Sequence, residues 1–377
     1  MDVQTKGFCD PRFEKVSTVF NGLLTSGADL GASFCATWKG EVIVDIWGGH
    51  LDETRQLEWQ QDSLVNVYST TKTMSFLCAL LLADRGELDF NRPVSHYWPE
   101  FSANGKSGVL VWHLMNHAAG LSGMDEVMTS EDLYDWDKIT QSLARQAPWW
   151  EPGSASGYHA ITQGYLIGEL VRKITSLSLG RFFAEHIARP LDADFFIGVP
   201  DAEFSRIGDL LPPPGSNLIG GQGTADSIAV RTFRNPPVSA LDSRSAAWRR
   251  AEIPAANGHG NARSVAKIHT LLANNGMSHG QQILSPETCR SIMQPRIEGM
   301  DLVLGVPMAF GLGFGLNPVA DGRRNLCFWG GWGGSRAIID QDNELSFSYV
   351  MNKMADGLLG DDRGDKLARA LFSGLPR

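Results

Sequence analysis

Acyl transfer by a serine needs a hydroxyl nucleophile, a group that removes its proton, and N–H donors for the oxyanion. Spacing marks the serines that could serve. Ser-x-x-Lys occurs at Ser69–Lys72 and Ser264–Lys267, and Gly-x-Ser-x-Gly occurs at Gly276-Met277-Ser278-His279-Gly280. The last is a nucleophile elbow only where a strand precedes the serine and a helix follows it. Here the order is reversed: a helical pattern precedes Ser278 and Gln281-Gln282-Ile283-Leu284 follows, which reads as a loop ending a helix.

The two Ser-x-x-Lys matches differ in setting. Ser264 falls inside an amphipathic helical segment, 261–274, with no glycine-rich strand motif close behind, and reads as a solvated or capping residue. Ser69 stands where a strand-like run, 64–68, meets an apolar helical run, 71–84, that Arg85-Gly86 terminates. Residues i and i+3 share a helix face, so Lys72 points to the side of Ser69. Free N–H groups and partial positive charge collect at a helix N-terminus. That field, with burial, lowers the lysine pKa and makes a neutral amine available. It also brings the Ser69 N–H within reach of an oxyanion. The spacing therefore predicts Ser69 as nucleophile with Lys72 beside it.

Hydrophobic periodicity places the elements around this pair. A helix is predicted over 11–26, then strands over 32–38 and 41–47 joined by a Lys39-Gly40 turn. Helices follow at 109–116, 136–146, 162–174, 179–188 and 261–274. Strands return at 310–316, 325–328, 335–340 and 345–352, before a last helix at 362–372. Strands at both ends with helices between predict an α+β fold: an antiparallel sheet built from both termini, with flanking helices and an inserted mainly helical domain. The division expected is 1–85 with 280–377 for the sheet domain and 86–279 for the insert.

Tyr68-Ser69-Thr70-Thr71-Lys72 resembles the first motif of class C β-lactamases, DD-peptidases and family VIII carboxylesterases, members of the serine β-lactamase and penicillin-binding protein superfamily. The second element of that superfamily is a tyrosine, commonly followed by x-Asn. The stretch from Pro152 to Tyr165 is similar to it, with Tyr158 in the tyrosine's place. The third element, Lys-Thr-Gly on a late strand in β-lactamases, stands here as Trp329-Gly330-Gly331-Trp332-Gly333-Gly334-Ser335, which resembles the W-G-G form of family VIII esterases. The stretch from Ile253 to Arg263 is similar to that family as well.

The resemblance implies a serine β-lactamase-like fold, catalysis by Ser69, Lys72 and Tyr158, and a Trp332 N–H facing the Ser69 N–H as the second oxyanion donor. It implies no metal and no organic cofactor. Two departures bear on substrate. Ala160 replaces the asparagine that helps to hold a β-lactam side-chain amide, and Trp329 and Gly330 replace the Lys-Thr that would grip its carboxylate. Losing those groups favours neutral apolar esters over anionic lactams. Trp329, Gly330, Gly331, Trp332, His159, Trp149 and Trp150 are expected to bind substrate. The rival schemes are a class C-like β-lactamase or DD-peptidase, an acyltransferase using the same acyl-enzyme, and a binding protein on this fold. A histidine triad would recruit His113, His117, His159 or His259 instead.

Composition narrows the partners. Net charge is −9 with no long run of one sign, which argues against nucleic acid or an anionic membrane as partner. A small-molecule ester is the expected partner. Five widely spaced cysteines without C-x-x-C read as buried free thiols rather than a zinc site or disulfide framework. The polar start, 1–7, lacks the apolar core of a signal peptide, and the apolar run 74–83 is shorter than the roughly 20 residues a membrane span needs. These features predict a cytoplasmic protein.

Overall fold

Both ends of the chain contribute to one sheet. Its strands are β1 (Lys6–Cys9), β2 (Gly31–Trp38), β3 (Glu41–Gly49), β4 (Ile297–Met300), β5 (Pro307–Phe310), β6 (Gly315–Leu316), β7 (Leu326–Gly330), β8 (Arg336–Asp340) and β9 (Leu345–Met351). Their order across the sheet is β1-β3-β2-β9-β8-β7-β6-β5-β4, antiparallel throughout. The computed structural model describes residues 4–216, 220, 223–278, 280–316 and 325–376. The long helices are α1 (Glu14–Thr25), α2 (Lys72–Asp84), α3 (Trp136–Arg145), α4 (Thr162–Thr175), α5 (Ala262–Ala273) and α6 (Asp362–Phe372). The α+β arrangement read from the sequence is the one observed.

Strand alternation explains why β2 and β9 are buried on both faces. Phe34 of β2 and Phe347 of β9 stack with centroids 5.5 Å apart, and Phe347 meets Phe372 of α6 edge-on. The opposite face carries small hydroxyl residues that let α5 approach closely. Thr37 bonds Thr270 at 2.7 Å, Ser346 donates to the Ala266 carbonyl at 2.8 Å, and Ser33 accepts the Ala262 N–H. Each buried hydroxyl of these three is thereby satisfied. Asn261 caps α5 by accepting the Ser264 N–H at 2.9 Å.

Helix α2 is apolar on every side and buried from Lys72 to Leu82, which makes it the core helix of the molecule. Ahead of it, the expected strand 64–68 shortens to Val65–Asn66. This pair joins His259–Gly260 and Phe195–Phe196 in a small three-stranded sheet. That sheet lays the segment 253–260 against the nucleophile candidate.

Several expectations change. The run 310–316 is a hairpin, β5 and β6, turned at 311–314 where the Gly311 N–H donates to Phe314 O. The outer strands β1 and β4 are largely exposed, so no apolar alternation announces them. The helix predicted over 179–188 is α-helical only to Phe183 and continues as a π-helical turn. All five cysteines are free. Among the described residues no helix is long and apolar enough to cross a membrane.

Candidate active site

The turn that carries Ser69 is not the first turn of α2. Tyr68–Thr71 form a 3-10 turn, and the α-helix begins at Lys72. The expectation that Ser69 and Lys72 share an α-helical face is corrected accordingly. Three residues complete a 3-10 turn, so positions i and i+3 eclipse, and the two side chains are brought together more directly. Tyr68 enters the turn at φ 42°, a left-handed conformation disfavoured for a residue with a Cβ. Its ring is held by Trp332 (5.0 Å) and Trp248 (6.3 Å), and its carbonyl accepts the Thr71 hydroxyl at 2.5 Å.

Lys72 is fully buried. Its Nζ lies 3.1 Å from Ser69 Oγ, 2.7 Å from the Ala160 carbonyl oxygen and 2.9 Å from the Ala255 carbonyl oxygen. Burial pushes its pKa well below the usual lysine range. Two neighbours fix Ala255. Gly164 of α4 allows the approach, because a Cβ there would meet the Ala255 nitrogen at 2.4 Å. Asn66 donates to Ala256 O at 2.7 Å and accepts from Trp248 Nε1 at 2.7 Å.

Tyr158 comes from the loop before α4, and its Oη donates to Ser69 Oγ at 2.5 Å. Burial raises the phenol above its ordinary range, against the lowering effect of the Ser69 bond, and the negative charge of Asp301 adds to the rise. The tyrosine is thus a proton donor at rest. Ser69 Oγ therefore meets the amine and the phenol together, while 7% of the residue stays exposed.

Trp332 follows β7. A Cβ at Gly331 would stand 2.1 Å from Val67 O, so only glycine lets this strand end close on the Ser69 turn. Ser335 pins the two together, donating to Val67 O at 2.9 Å and bonding Thr70 Oγ1 at 2.9 Å. Arg363 of α6 anchors the far side of the turn. Its Nη2 donates to Gly333 O and its Nη1 to Asp29, both at 2.7 Å. No backbone acceptor takes the Ser69 or Trp332 N–H among the described residues.

A cleft of about 590 Å³ opens beside Trp332, lined by Pro213, Leu304, Val306 and Leu358, with Asp356 as its charged member. The other expected binding residues are placed elsewhere. Trp329 is fully buried beneath the site, edge-on to Phe76 and stacked on His117 (5.5 Å, 18°). Strand register turns its side chain to the core, which the sequence alone does not reveal. Gly330 backs onto Leu359. Trp149 carries the Arg231 guanidinium on its ring at 3.9 Å, and Trp150 packs under Gly157 and against His159. His159 is buried, its Nε2 accepting the Leu121 N–H and its Nδ1 donating to Gly157 O. Of the four tryptophans expected to bind substrate, Trp332 alone lines this cleft among the described residues.

The histidines are engaged away from the nucleophile. His113 Nδ1 accepts the Leu110 N–H, and His259 Nδ1 donates to Asn257 O. His117 Nδ1 accepts the His159 N–H, and its ring meets Tyr158 edge-on at 5.0 Å. None of the four bonds Ser69. Ser264 is buried rather than solvated, donating to Asn261 and accepting the Asp194 N–H. Ser278 lies in a two-stranded hairpin, Met277–Ser278 with Gln281–Gln282, so the element directly after it is a strand and not a helix. His279 lies outside the described residues. Asp301 escaped the sequence reading, which had His117 only as a triad candidate and Ser335 only as the last residue of the third motif.

The beta-lactamase family model matches residues 16–371. The chain belongs to the beta-lactamase family. The esterase/beta-lactamase LipL of Mycobacterium tuberculosis is 32% identical over 366 residues, covering 94% of this chain and 85% of that protein. The crystal structure of a family VIII carboxylesterase superposes with a TM-score of 0.93 at 39% identity, over 99% of this chain and 100% of that one. A penicillin-binding protein homolog from Caulobacter crescentus gives 0.92 at 36%, with the same coverage. The fold of this beta-lactamase family member is that of the serine β-lactamases and penicillin-binding proteins.

Proposed function

We propose that the protein is a serine carboxylesterase that hydrolyses small to medium neutral esters through an acyl-enzyme on Ser69. One observation carries the reading: Ser69 Oγ contacts a buried lysine and a buried tyrosine at once. A neutral amine has two N–H bonds and one lone pair. The Ala160 and Ala255 carbonyls take the two N–H groups. The lone pair is left for the Ser69 hydroxyl proton, while Tyr158 donates its own proton to Ser69 Oγ.

In this scheme Lys72 accepts the serine proton as Oγ attacks the ester carbonyl. The Ser69 and Trp332 N–H groups hold the oxyanion. Tyr158 protonates the departing alkoxide and regains its proton from the Lys72 ammonium. Water then gives a proton to the same pair and attacks the acyl carbonyl, which releases the acid and restores Ser69. No step uses a metal or organic cofactor. The names of the family VIII carboxylesterase and of LipL support ester hydrolysis.

LipL's name also supports β-lactam hydrolysis as a secondary activity. The primary role favoured is esterolytic, because the Lys-Thr position that would grip a β-lactam carboxylate holds Trp329 and Gly330. Comparing kcat/KM for p-nitrophenyl butyrate and nitrocefin tests this. The ester should be the better substrate by at least about tenfold, a modest demand for a site lacking a carboxylate anchor. Equal efficiencies would reject the assignment.

A further inference from the structure

Asp301 follows β4, and none of it reaches solvent. A single oxygen, Oδ1, accepts three backbone N–H groups: Tyr158 at 3.0 Å, Val303 at 3.0 Å and Leu304 at 2.9 Å. The first of these bonds spans 143 residues of sequence and ends on the backbone of the proposed proton donor. The other two close the loop on itself. Within it the Asp301 N–H donates to Val306 O and the Gly305 N–H donates to Asp301 O. A second tether joins the Leu302 N–H to Ser156 O at 2.9 Å. Leu304, Gly305 and Val306 then form one wall of the cleft beside Trp332.

We propose that Asp301 is a positioning residue that sets the Tyr158 phenol against Ser69 and holds the cleft wall in register with it. The inference rests on the esterase reading above. Tyr158 Oη must stay within about 3 Å of both Ser69 Oγ and the leaving oxygen for proton transfer. The tyrosine sits in a loop segment, where no helix or strand ladder fixes its backbone N–H. The carboxylate supplies that anchor. Truncating it would leave two buried N–H groups and the part-buried Leu304 N–H unpaired, and the segment would have to move to satisfy them. Asparagine retains the acceptor: its oxygen can replace Oδ1, and its NH2 group would occupy the place of Oδ2, which has no partner among the described residues.

The test is a double-mutant cycle in the full chain, with p-nitrophenyl acetate and p-nitrophenyl octanoate as substrates. Asp301→Ala should lower kcat on the acetate by about 10²-fold, the scale of a misplaced catalytic group. It should raise KM for the octanoate more than for the acetate, since the wall moves with the loop. Asp301→Asn should recover kcat to within about tenfold of wild type, because the shared acceptor is kept. In a Tyr158→Phe background Asp301→Ala should cost less than about threefold more, since a residue acting through the phenol has nothing left to position. Should Asp301→Ala not fold by circular dichroism, Asp301→Ser, which loses the three-way bond but stays polar, carries the same expectations. Wild-type kcat in the folded Ala or Ser variant overturns the inference. So do equal losses in the truncation variant and Asp301→Asn, or losses that multiply fully with Tyr158→Phe. An inert wild type on every ester would instead reject the esterase reading itself.

Discussion

Lys72 Nζ lies 2.7 Å from the backbone oxygen of Ala160, the position where the related motif commonly has an asparagine. The main chain thus holds the amine, and among the described residues no carboxylate forms an ion pair with it. A buried ammonium without an anion is costly, so the neutral form is favoured. Activity should rise with pH through an ionisation below the ordinary lysine value of about 10.4 and then level off, because the working form is the deprotonated one. Lys72→Arg keeps a charge but offers no neutral amine, and should lose about 10³-fold in kcat. A pH–rate profile of both proteins checks this. A rate that falls with rising pH, or near-wild-type kcat in Lys72→Arg, would exclude Lys72 as the base.

The three marked serines separate by mutation. Ser69→Ala should reduce ester hydrolysis by about 10³-fold or more. Ser278→Ala should leave activity and stability near wild type, since its hairpin is remote from the Ser69 turn. Ser264→Ala should keep activity yet lose about 1–2 kcal/mol of stability, because Asn261 and the Asp194 N–H each lose a buried partner. Kinetics and thermal melts of the three variants distinguish these outcomes. Inactive Ser278→Ala with active Ser69→Ala would reverse the assignment.

A cation placed at the third motif should not create a β-lactamase. Trp329 fills a buried aromatic cluster with Phe76, His117 and Phe310. Trp329→Lys removes that packing and buries an unpaired charge, which should cost about 3–5 kcal/mol or more. Melting temperature and nitrocefin turnover read the two effects. A stable variant with raised nitrocefin turnover would show that position 329 faces the substrate.

The buried histidines should make the fold acid-sensitive. Burial holds His117 well below the ordinary range and brings His159, His259 and His269 down to about 3. Above about pH 6.5 both folded and unfolded forms leave these rings neutral. Between about 6.5 and 3 the unfolded chain binds the protons and the folded chain does not, so stability falls with pH by up to about 1.4 kcal/mol per unit for each ring. Denaturant unfolding from pH 7 to 5 measures the slope, and His269→Leu should reduce it by nearly one proton. An unchanged slope in that variant would contradict the assignment.

How legible the site is depends on how local each signal is. Ser69 and Lys72 stand out because three residues and an apolar helix bring them together, even though the turn between them is 3-10. The two-ended sheet is legible because β2, β3, β8 and β9 are apolar runs of ordinary length. The edge strands β1 and β4 carry no such pattern. The carbonyls of Ala160 and Ala255 hold Lys72 through main-chain atoms that any residue possesses, so residue identity gives no hint of them. Asp301 reaches Tyr158 across the fold from an undistinguished loop. Trp329 and Trp332 look alike in the sequence, and only strand register sends one to the core and the other to the cleft.

Covalent capture tests whether Ser69 carries the acyl group. The protein should be mixed with a slowly released p-nitrophenyl ester, quenched in acid during turnover, and read by intact mass and peptide mapping. One added acyl group should appear on the peptide containing Ser69, absent in Ser69→Ala and accumulating when Tyr158→Phe slows deacylation. An acyl group on any other residue, or full turnover in Ser69→Ala, would contradict it.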